Sequence, residues 1–290
     1  MIITRLNGGL GNQMFQYAAA KRLAWIRDTD VVIDVSEFAY DPQRNYCLNH
    51  FSLPQVFVTA DDLWWIRRLR EKNPMRKLLY RVGGWIRPAR EMTLAREPHF
   101  HFSGEMLQLP DNTCLDGYWQ SERYFADATD VIRSAFIIKD PLLEQNRAVL
   151  ESIERSESIA LHVRRGDYVT NPTTYEVHGV CSSAYYEACI AYITERVNKP
   201  HFFLFSDDPE WVKENLCLQG QTTVIENNPA IEDMRLMSRC KHNIIANSSF
   251  SWWGAWLNTN PDKMVLAPRR WFQDATINTS DLYPSGWIAL

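Results

Sequence analysis

The sequence has few of the features that mark metal-binding, disulfide-linked or membrane-spanning proteins. Its six cysteines form no CxxC pair and show no His/Cys ligand spacing, so reduced, mostly buried thiols are expected. No run of about 18 apolar residues occurs, and the first residues, MIITRLNGGLGNQ, contain no apolar signal core. The Asp28-Thr29-Asp30 triplet precedes a predicted strand instead of following it, so we interpret it as a turn and predict no metal site. A cytoplasmic protein is expected.

The sequence also lacks the glycine patterns of two common nucleotide-binding loops. A predicted strand at 1–6 leads through three glycines into a predicted helix at 13–26, and another strand is predicted at 31–34. Met14 replaces the third glycine of a GxGxxG fingerprint, and Gln13 excludes the GK[ST] of a P-loop. Asp34 could be the acidic ribose ligand of a dehydrogenase, but the missing glycine argues against that class.

The predicted helix at 13–26 still begins in a way that suits binding. Its free N–H groups, with the amides of Asn12 and Gln13, could face an anion or a sugar hydroxyl. Asn12 could instead only cap the helix. The apolar face of the helix is predicted to contain Phe15, Ala19, Leu23 and Ile26.

The length fits two domains or one large α/β unit, and the composition is ordinary for a soluble globular enzyme. The chain has 290 residues, 46% hydrophobic and 23% charged, and its net charge of −4 argues against nucleic-acid binding. We predict a first domain at 1–150, with an α-rich insertion at about 38–110, and a second domain at 151–290.

One segment departs from the acidic balance of the chain. Between Trp64 and Arg90 nine Lys or Arg residues stand against a single acid, Glu71, and they alternate with aromatic and aliphatic residues. This mixture predicts an interfacial helix pair that contacts the cytoplasmic face of the inner membrane. The alternative is a solvated helical excursion with a buried aromatic stripe.

The second half alternates strands with helices. Strands are predicted at 159–163, 201–205, 222–225, 243–246 and 264–267, and a long loop is predicted at 168–181. Asp208-Pro209 and Asn228-Pro229 each predict a capped helix start, and a further helix is predicted at 183–197. The pattern predicts an α/β fold with a doubly wound parallel sheet.

Polar clusters follow four of these strands, at 162–167, 206–208, 226–228 and 247–251. Since ligands of such sheets bind at the carboxyl ends of the strands, we expect one nucleotide-sized polar site there. The Arg164 guanidinium matches phosphate oxygens, with Arg165, Gly166 and Asp167 beside it. A surface turn of Arg/Asp ion pairs is the alternative.

Four blocks of the sequence, in order, resemble those of the bacterial α-1,2-fucosyltransferases, which use GDP-fucose. The blocks are NGGLGNQMFQYAAAKRLA, Gly117–Phe125, HVRRGDY and NSSFSWWGAWL. The HxRR portion is similar to the wider set of α-1,6- and protein O-fucosyltransferases. The resemblance implies a GT-B architecture of two Rossmann-like domains with parallel sheets facing a central cleft. It also implies metal-independent inverting transfer without a cofactor, and donor binding by the second half.

The resemblance also implies roles for individual residues. His162 and Arg164 match positions that meet the donor, with Arg164 at the pyrophosphate. Asp207 matches an aspartate after the second strand, and Asp233 matches an aspartate near the nucleotide base. Ser249 matches a phosphate-contacting serine, and Asn12 matches an asparagine near the transferred fucose. Their neighbours Arg165, Asp167 and Ser248 complete the expected donor site. For Asp233 the alternative is a first-turn residue that only favours the helix dipole.

The catalytic base departs from the family pattern. The α-1,6 enzymes have a glutamate where this chain has Pro172, and only Glu176 and His178 are nearby. We favour His178 as the group that deprotonates the acceptor hydroxyl, because the pKa of an imidazole suits that work. Glu176 is the other candidate, and the reaction could also need no enzymic base. The implied acceptor is a terminal β-galactoside, which could be a lipid-linked precursor of a surface polysaccharide such as O-antigen. Another nucleotide-sugar transferase and a non-catalytic nucleotide- or carbohydrate-binding protein remain alternatives.

Overall fold

The computed structural model describes residues 1–83, 91–216, 218 and 220–290, without the side chains of residues 81–83 and of Asp167. Cys217 and the predicted membrane-contact residues at 85–87 and 90 therefore lie outside the described residues. The chain divides into two units, Met1–Ile137 and Ile138–Leu290. Both are α/β and both contain a parallel sheet, as predicted.

The first unit is built on a parallel sheet of order β2-β1-β4-β3. Its strands are β1 (Ile2–Arg5), β2 (Val31–Asp34), β3 (Thr93–Arg96) and β4 (Thr113–Asp116). Its α-helices are α1 (Leu10–Ile26), α2 (Ala60–Arg70), α3 (Pro74–Gly83) and α4 (Thr129–Ala135). The predicted α-rich insertion at 38–110 does contain α2 and α3, but it also supplies β3, which pairs in parallel with β4.

Helix α1 is the central helix of the first unit. It begins at Leu10, earlier than predicted, and Gly9 is its N-cap. Phe15, Ala19 and Leu23 are fully buried, whereas Ile26 is 46% exposed, so the predicted apolar face is wrong at Ile26. The last turn of the helix extends past the core that its first four turns bury.

The second unit is built on a parallel sheet of order β10-β9-β8-β5-β6-β7. Its strands are β5 (Glu157–Val163), β6 (Pro200–Ser206), β7 (Gln221–Ile225), β8 (His242–Ile244), β9 (Val265–Ala267) and β10 (Ile288–Ala289). Its α-helices are α5 (Arg147–Arg155), α6 (Gly166–Thr170), α7 (Pro172–His178), α8 (Ser183–Thr194), α9 (Pro209–Asn215), α10 (Ala230–Arg239) and α11 (Ser249–Leu257). All five predicted strands are present, and β10 was not predicted.

Helices cover both faces of this second sheet. Ile159, Leu161 and Val163 of β5 belong to one apolar cluster, which α8 completes, whereas Ala160 belongs to a second cluster with residues of α5 and α10. Since successive residues of a strand point to opposite faces, the clusters lie on the two sides of the sheet. This arrangement confirms the doubly wound prediction.

The unit boundary lies earlier than the predicted one at 150. Residues 138–150 belong with the second unit, because α10 binds them. Glu232 Oε2 accepts hydrogen bonds from the Leu143 N–H (3.2 Å) and the Asn146 amide (2.7 Å), and Arg235 donates to the Asp140 carbonyl (2.6 Å).

Two local predictions in this unit were wrong. The loop predicted at 168–181 is largely helical, because the Asn171 side chain accepts from the N–H groups of Thr173 and Thr174 and so caps α7. Asn228 does not cap α10, whose N-cap is Pro229. The side-chain Oδ1 of Asn228 instead accepts from the side-chain amides of Gln145 (3.0 Å) and Asn146 (3.1 Å). Asp208 does cap α9, as predicted, through the Trp211 N–H (3.1 Å).

Among the described residues, no helix combines the length and the hydropathy that a membrane crossing requires.

Candidate functional site

Arg164 follows β5 and is held by the residue that follows β6. Its Nη1 lies 2.8 Å from Asp207 Oδ2, and both side chains are 27% exposed. Asp207 Oδ1 accepts the Arg165 N–H over 2.8 Å, so one carboxylate fixes both the guanidinium and the backbone of the turn. A guanidinium held in this way at the carboxyl edge of a parallel sheet can stabilise the negative charge that develops on a bound phosphate.

The second arginine of the pair has a different environment. Arg165 Nε donates to Asp208 Oδ2 over 3.0 Å, and its guanidinium carbon lies 4.2 Å from the centre of the Trp211 ring. The Arg165 side chain therefore ties β5 to the start of α9. Its predicted role in donor binding has less support than that of Arg164.

Gly166 permits the approach of Asp207 to the turn. A Cβ at this position would lie 2.5 Å from Asp207 Oδ2, closer than any side chain allows. Asp167, also predicted in the donor site, lies in α6, and its side chain is outside the described residues.

His162 lies at the carboxyl end of β5 and is almost fully buried. Burial, and then the charge of Arg164, lower its pKa from 6.5 to about 3, so the imidazole is neutral at physiological pH. Its ring lies 5.7 Å from that of Phe250, and its Nδ1 is buried without a hydrogen-bond partner. A neutral imidazole here can donate or accept one hydrogen bond without adding charge.

His178, at the end of α7, lies in a row of flat groups that begins at Arg164. The Arg164 guanidinium carbon is 5.5 Å from the centre of the Tyr168 ring, Tyr168 stacks on His178 at 4.9 Å, and His178 meets Phe272 at 5.4 Å. Glu176, the other predicted base, is exposed. Residues two apart in a helix do not face each other, so Glu176 and His178 point to different sides of α7.

Asn247 locks the turn that follows His178. Its side-chain nitrogen donates to the carbonyls of His178 (2.9 Å), Gly179 (3.3 Å) and Trp271 (3.2 Å), and Asn247 is only 2% exposed. Gly179 has a φ of +61°, and a Cβ there would lie 2.3 Å from the Gln273 amide, so this turn requires glycine.

A cavity of about 320 Å³ lies beside His178 and is also lined by Gly179, Asn247 and Phe272. That volume is at the lower end of the range of small-molecule sites, about 300–1,000 Å³. His178 therefore has room next to it for part of a sugar.

The two serines predicted in the donor site begin α11. Ser248 is its N-cap, is 8% exposed, and makes no side-chain capping bond, while Ser249 is the first helical residue. The N–H groups of a helix start point outwards along its axis, which suits an anion.

Asp233 lies in the first turn of α10 and is one of the most perturbed carboxyl groups in the described part of the chain. Burial raises its pKa from 3.8 to about 7; the Asn228 side chain opposes this rise, and the charge of Glu232 adds to it. Its Oδ1 is buried and accepts no hydrogen bond. A carboxylate placed only to favour the helix dipole would be ionised and solvated, so the burial favours a binding role.

In the first unit, Asn12 is held by a residue far away in sequence. Gln120 donates its side-chain amide to Asn12 Oδ1 over 2.9 Å. Asn12 lies inside α1, whose N-cap is Gly9, so the capping alternative was wrong. Gln13 is fully buried, and its amide bonds the carbonyls of Gly8 and Asn45 and the N–H of Cys47, so it cannot face a ligand.

A half-buried carboxylate shapes the turn that carries Gln120. Glu97 accepts the N–H groups of Tyr118 (2.7 Å) and Trp119 (2.9 Å), and burial raises its pKa although these bonds oppose the rise. A Cβ at Gly117 would lie 2.4 Å from the Glu97 side chain. Glu97 thus fixes the backbone at the start of the 117–125 block.

Comparison with known proteins assigns the family. The family model described as glycosyl transferase family 11 matches residues 94–290. The chain belongs to glycosyl transferase family 11. It is therefore a glycosyltransferase, as the sequence predicted.

Relatives of this family 11 glycosyltransferase span its whole length. It is 36% identical to the O-antigen biosynthesis glycosyltransferase WbnK of Escherichia coli, over 98% of this chain and 99% of that protein. It is 33% identical to an alpha-1,2-colitosyltransferase of the same organism, over 100% and 99%. It is 26% identical to human galactoside alpha-(1,2)-fucosyltransferase 1, over 90% of this chain and 66% of that protein.

Solved structures share the fold of this glycosyltransferase. NodZ alpha-1,6-fucosyltransferase co-crystallized with GDP matches with a TM-score of 0.50 and 17% identity, covering 87% of this chain and 90% of that one. POFUT1 in complex with GDP-fucose matches with a TM-score of 0.50 and 11% identity, covering 92% and 97%. These matches support the predicted GT-B fold class.

Several site residues of the family 11 enzyme escaped sequence reasoning. The Gln120 amide bonds Asn12, the Asn247 amide bonds the backbone carbonyl of His178, and Glu97 bonds the backbone of Trp119, which precedes Gln120. No sequence pattern indicated the hydrogen-bond partners of Glu97 and Gln120. Asn247 was predicted only as part of the polar cluster at 247–251, without a role of its own. Asp34, the acidic residue of the dehydrogenase alternative, is fully buried and accepts the Ser36 N–H over 2.9 Å.

Proposed function

We propose that this family 11 glycosyltransferase moves L-fucose from GDP-fucose to the 2-hydroxyl of a terminal β-galactoside. The product is α-linked and forms with inversion, because the sugar of GDP-fucose is β-linked. No metal and no cofactor are required. The acceptor belongs to a surface polysaccharide such as O-antigen, a proposal supported by the 36% identity to WbnK over the full length.

The observation that carries the proposal is the Arg164–Asp207 pair at the carboxyl edge of the second sheet. Departure of GDP leaves negative charge on the diphosphate, and a preorganised guanidinium stabilises that charge where it develops. Asp207 holds one side of the Arg164 fork, which orients the guanidinium towards the site. His162, neutral beside it, provides a further hydrogen-bonding group.

Asp233 supports the choice of guanine as the base. Guanine offers an N1–H and an exocyclic amino group, and one carboxylate can accept hydrogen bonds from both. Asp233 has an unused buried oxygen, and ionisation of a carboxyl group with a pKa of about 7 is promoted when such donors bind.

On the acceptor side we propose His178 as the base. Tyr168 and Phe272 hold its ring, and the cavity beside it has room for a sugar hydroxyl. A positioned base contributes about 10²–10⁴-fold to such a transfer. In the rival route the fucosyl cation forms first, little deprotonation is needed, and His178 serves only to bind.

A single experiment tests the main proposal. The purified full chain is incubated with GDP-fucose and a panel of free β-galactosides, and the product is analysed by mass spectrometry and linkage analysis. We expect an α-1,2-linked fucosyl product, equal with and without EDTA. Hydrolysis of GDP-fucose without transfer, or a different linkage, would contradict the proposal.

The second candidate function is transfer of colitose. The 33% identity to an alpha-1,2-colitosyltransferase over the full length favours it. Colitose is L-fucose without the 3-hydroxyl group, and a site built to bond a hydroxyl rejects the analogue that lacks it by about 10⁴–10⁵. Competition between the two GDP-sugars in one reaction distinguishes the candidates through the ratio of kcat/KM.

We also propose that the acceptor is lipid-linked and that the protein meets it at the cytoplasmic face of the inner membrane. The basic segment that starts at Trp64 supports this part of the proposal.

A further inference from the structure

Helix α3 presents an apolar stripe that no described residue covers. Met75, Leu78 and Leu79 are 76%, 57% and 72% exposed. Positions i, i+3 and i+4 of an α-helix lie on one face, so the three side chains form a continuous surface. Large exposed side chains in a contiguous group are typical of an interaction site, whereas isolated ones are ordinary.

The contacts of α3 explain why this stripe faces outwards. Tyr80 packs edge-on against Trp64 of α2, with ring centres 5.4 Å apart. At 3.6 residues per turn, Tyr80 points to the side of α3 roughly opposite the stripe. The face of the helix that contacts α2 is therefore the face without Met75, Leu78 and Leu79.

Basic residues surround the stripe. Residues 64–83 contain seven Lys or Arg and one Glu, whereas the other 270 residues contain 24 bases and 34 acids. Lys72, Arg76 and Lys77 are exposed. The Arg68 guanidinium lies over the Trp65 ring at 4.8 Å, so part of this charge is fixed on the surface of α2.

This combination selects one kind of partner. An acidic chain that concentrates its positive charge around exposed Met and Leu side chains is complementary to a surface that is both anionic and apolar. Nucleic acid would match the charge, but it offers nothing to bury a stripe of aliphatic side chains. A bilayer that contains acidic phospholipids offers both.

We propose that the end of α2 and the outer face of α3, here called the α2–α3 patch, dock on an anionic lipid bilayer. Met75, Leu78 and Leu79 enter the headgroup region, while Lys72, Arg76 and Lys77 contact acidic headgroups. Each basic residue near such a surface strengthens binding about fivefold, and salt weakens this contribution. The proposal deepens the proposed function, since docking brings the enzyme to a lipid-linked acceptor, but vesicle binding itself needs no substrate.

The test is co-sedimentation of the full chain with vesicles of phosphatidylcholine alone or with about a third phosphatidylglycerol. We expect binding to the anionic vesicles at low salt, at least tenfold weaker at high salt, and little binding to phosphatidylcholine. The triple variant M75S/L78S/L79S and the double variant R76E/K77E should each bind at least tenfold more weakly. The control W25S/I26S, which changes exposed apolar residues at the end of α1, should bind like the wild type.

Activity on a free disaccharide separates docking from catalysis. All three variants should retain wild-type transfer to a free β-galactoside, which also shows that they fold. Absence of binding to anionic vesicles at low salt, or equal binding by the triple variant, would overturn the docking proposal. Preferential binding of the patch to RNA or DNA, or self-association through it, would also overturn it. If neither the wild type nor any variant transfers fucose, the proposed function is wrong, but the vesicle experiment still tests the docking proposal.

Discussion

Gln120 donates a hydrogen bond to Asn12 across 108 residues of sequence, and this bond fixes the orientation of the Asn12 amide. The Asn12 oxygen is the acceptor of this bond, so the amide nitrogen lies on the opposite side of the group. Gly8 accommodates that nitrogen, because a Cβ at Gly8 would lie 2.6 Å from it. Gln120 is therefore a positioning residue, and Glu97 supports the turn that carries it.

Replacing Gln120 with Met should lower kcat while the protein stays folded. The side chain keeps its size but cannot donate, so Asn12 loses the bond that orients it. Loss of about 1–1.5 kcal/mol corresponds to roughly a tenfold lower rate if the orientation matters in the transition state. Steady-state kinetics with GDP-fucose should show the change in kcat more than in KM. The same substitution at the exposed Gln108 should have no effect; equal effects at both positions would refute the role of Gln120.

The Arg164→Lys variant should lose most activity, because an ammonium group cannot reproduce a planar fork on a diphosphate. The expected cost is ~2–4 kcal/mol of transition-state stabilisation. Single-turnover rates measure it directly. A variant that kept more than about half of the wild-type rate would remove Arg164 from the donor site.

Asp207→Asn should act through Arg164. The substitution weakens the 2.8 Å ion pair, and we expect a rate loss of about tenfold or more. In the double variant Asp207→Asn/Arg164→Lys, the two losses should not add, because both act on the same guanidinium. Additive losses would indicate that Asp207 contacts the substrate independently.

The strands of the second sheet were predictable because local sequence and burial agree. Four of the five residues at 159–163 are apolar, and all five are buried, so hydrophobicity located most of β5. In β3 the situation differs, since Thr93–Arg96 is short, begins with an exposed threonine and ends in an exposed arginine. Its strand conformation depends on pairing with β4, and no local sequence pattern predicts that pairing.

The site was predictable to a similar extent. Arg164 and His162 stand at a recognisable strand end, so their position at the carboxyl end of β5 followed from the order of elements. The partner of Asn12 lies on a different strand end, and the pairing of Asp207 with Arg164 depends on two adjacent parallel strands, β5 and β6. Side-chain pairs between the ends of neighbouring strands depend on the order of strands in the sheet, and that order cannot be predicted from the spacing of residues in the sequence.

Asp233 should make stability depend on pH. Burial raises its pKa from 3.8 to about 7, so the folded protein retains a proton that the unfolded chain has already released. The contribution of Asp233 to stability is therefore full below pH about 4 and is lost as pH rises towards 7. The difference in unfolding free energy between Asp233→Asn and wild type should therefore increase in favour of the variant from pH about 4 to pH about 7 and stay constant above pH about 7. Urea unfolding across pH measures this, with Asp262→Asn, at an exposed site, as the flat control.

The same carboxyl group should control nucleotide affinity. If ionised Asp233 accepts hydrogen bonds from guanine, GDP should bind more weakly as pH falls below about 7, up to tenfold per pH unit. Calorimetric titration of wild type and Asp233→Asn with GDP tests the point. The variant should bind weakly at every pH; an unchanged pH dependence would mean that guanine lies elsewhere.

The last prediction concerns the base. His178 lies between Tyr168 and Phe272, whereas Glu176 is exposed on another side of α7, so the structure adds a geometric difference to the preference for His178 that the sequence had indicated. His178→Ala removes both the imidazole and its packing, but His178→Phe keeps a flat ring in the stack and removes only the proton acceptor. If His178 is the base, both variants should lose about 10²–10⁴-fold in single-turnover rate, and Glu176→Gln should lose less than threefold.

The pattern across these variants separates three mechanisms. A rate for His178→Phe within threefold of wild type, with a slow His178→Ala, would assign His178 to packing and support the route in which the fucosyl cation forms first. A slow Glu176→Gln with a fast His178→Phe would give the role to Glu176. Running each reaction with and without EDTA addresses the metal: because Arg164 is expected to carry the diphosphate charge, EDTA should change none of these rates. Loss of all wild-type activity in EDTA, restored by Mg²⁺ or Mn²⁺, would overturn the metal-free proposal.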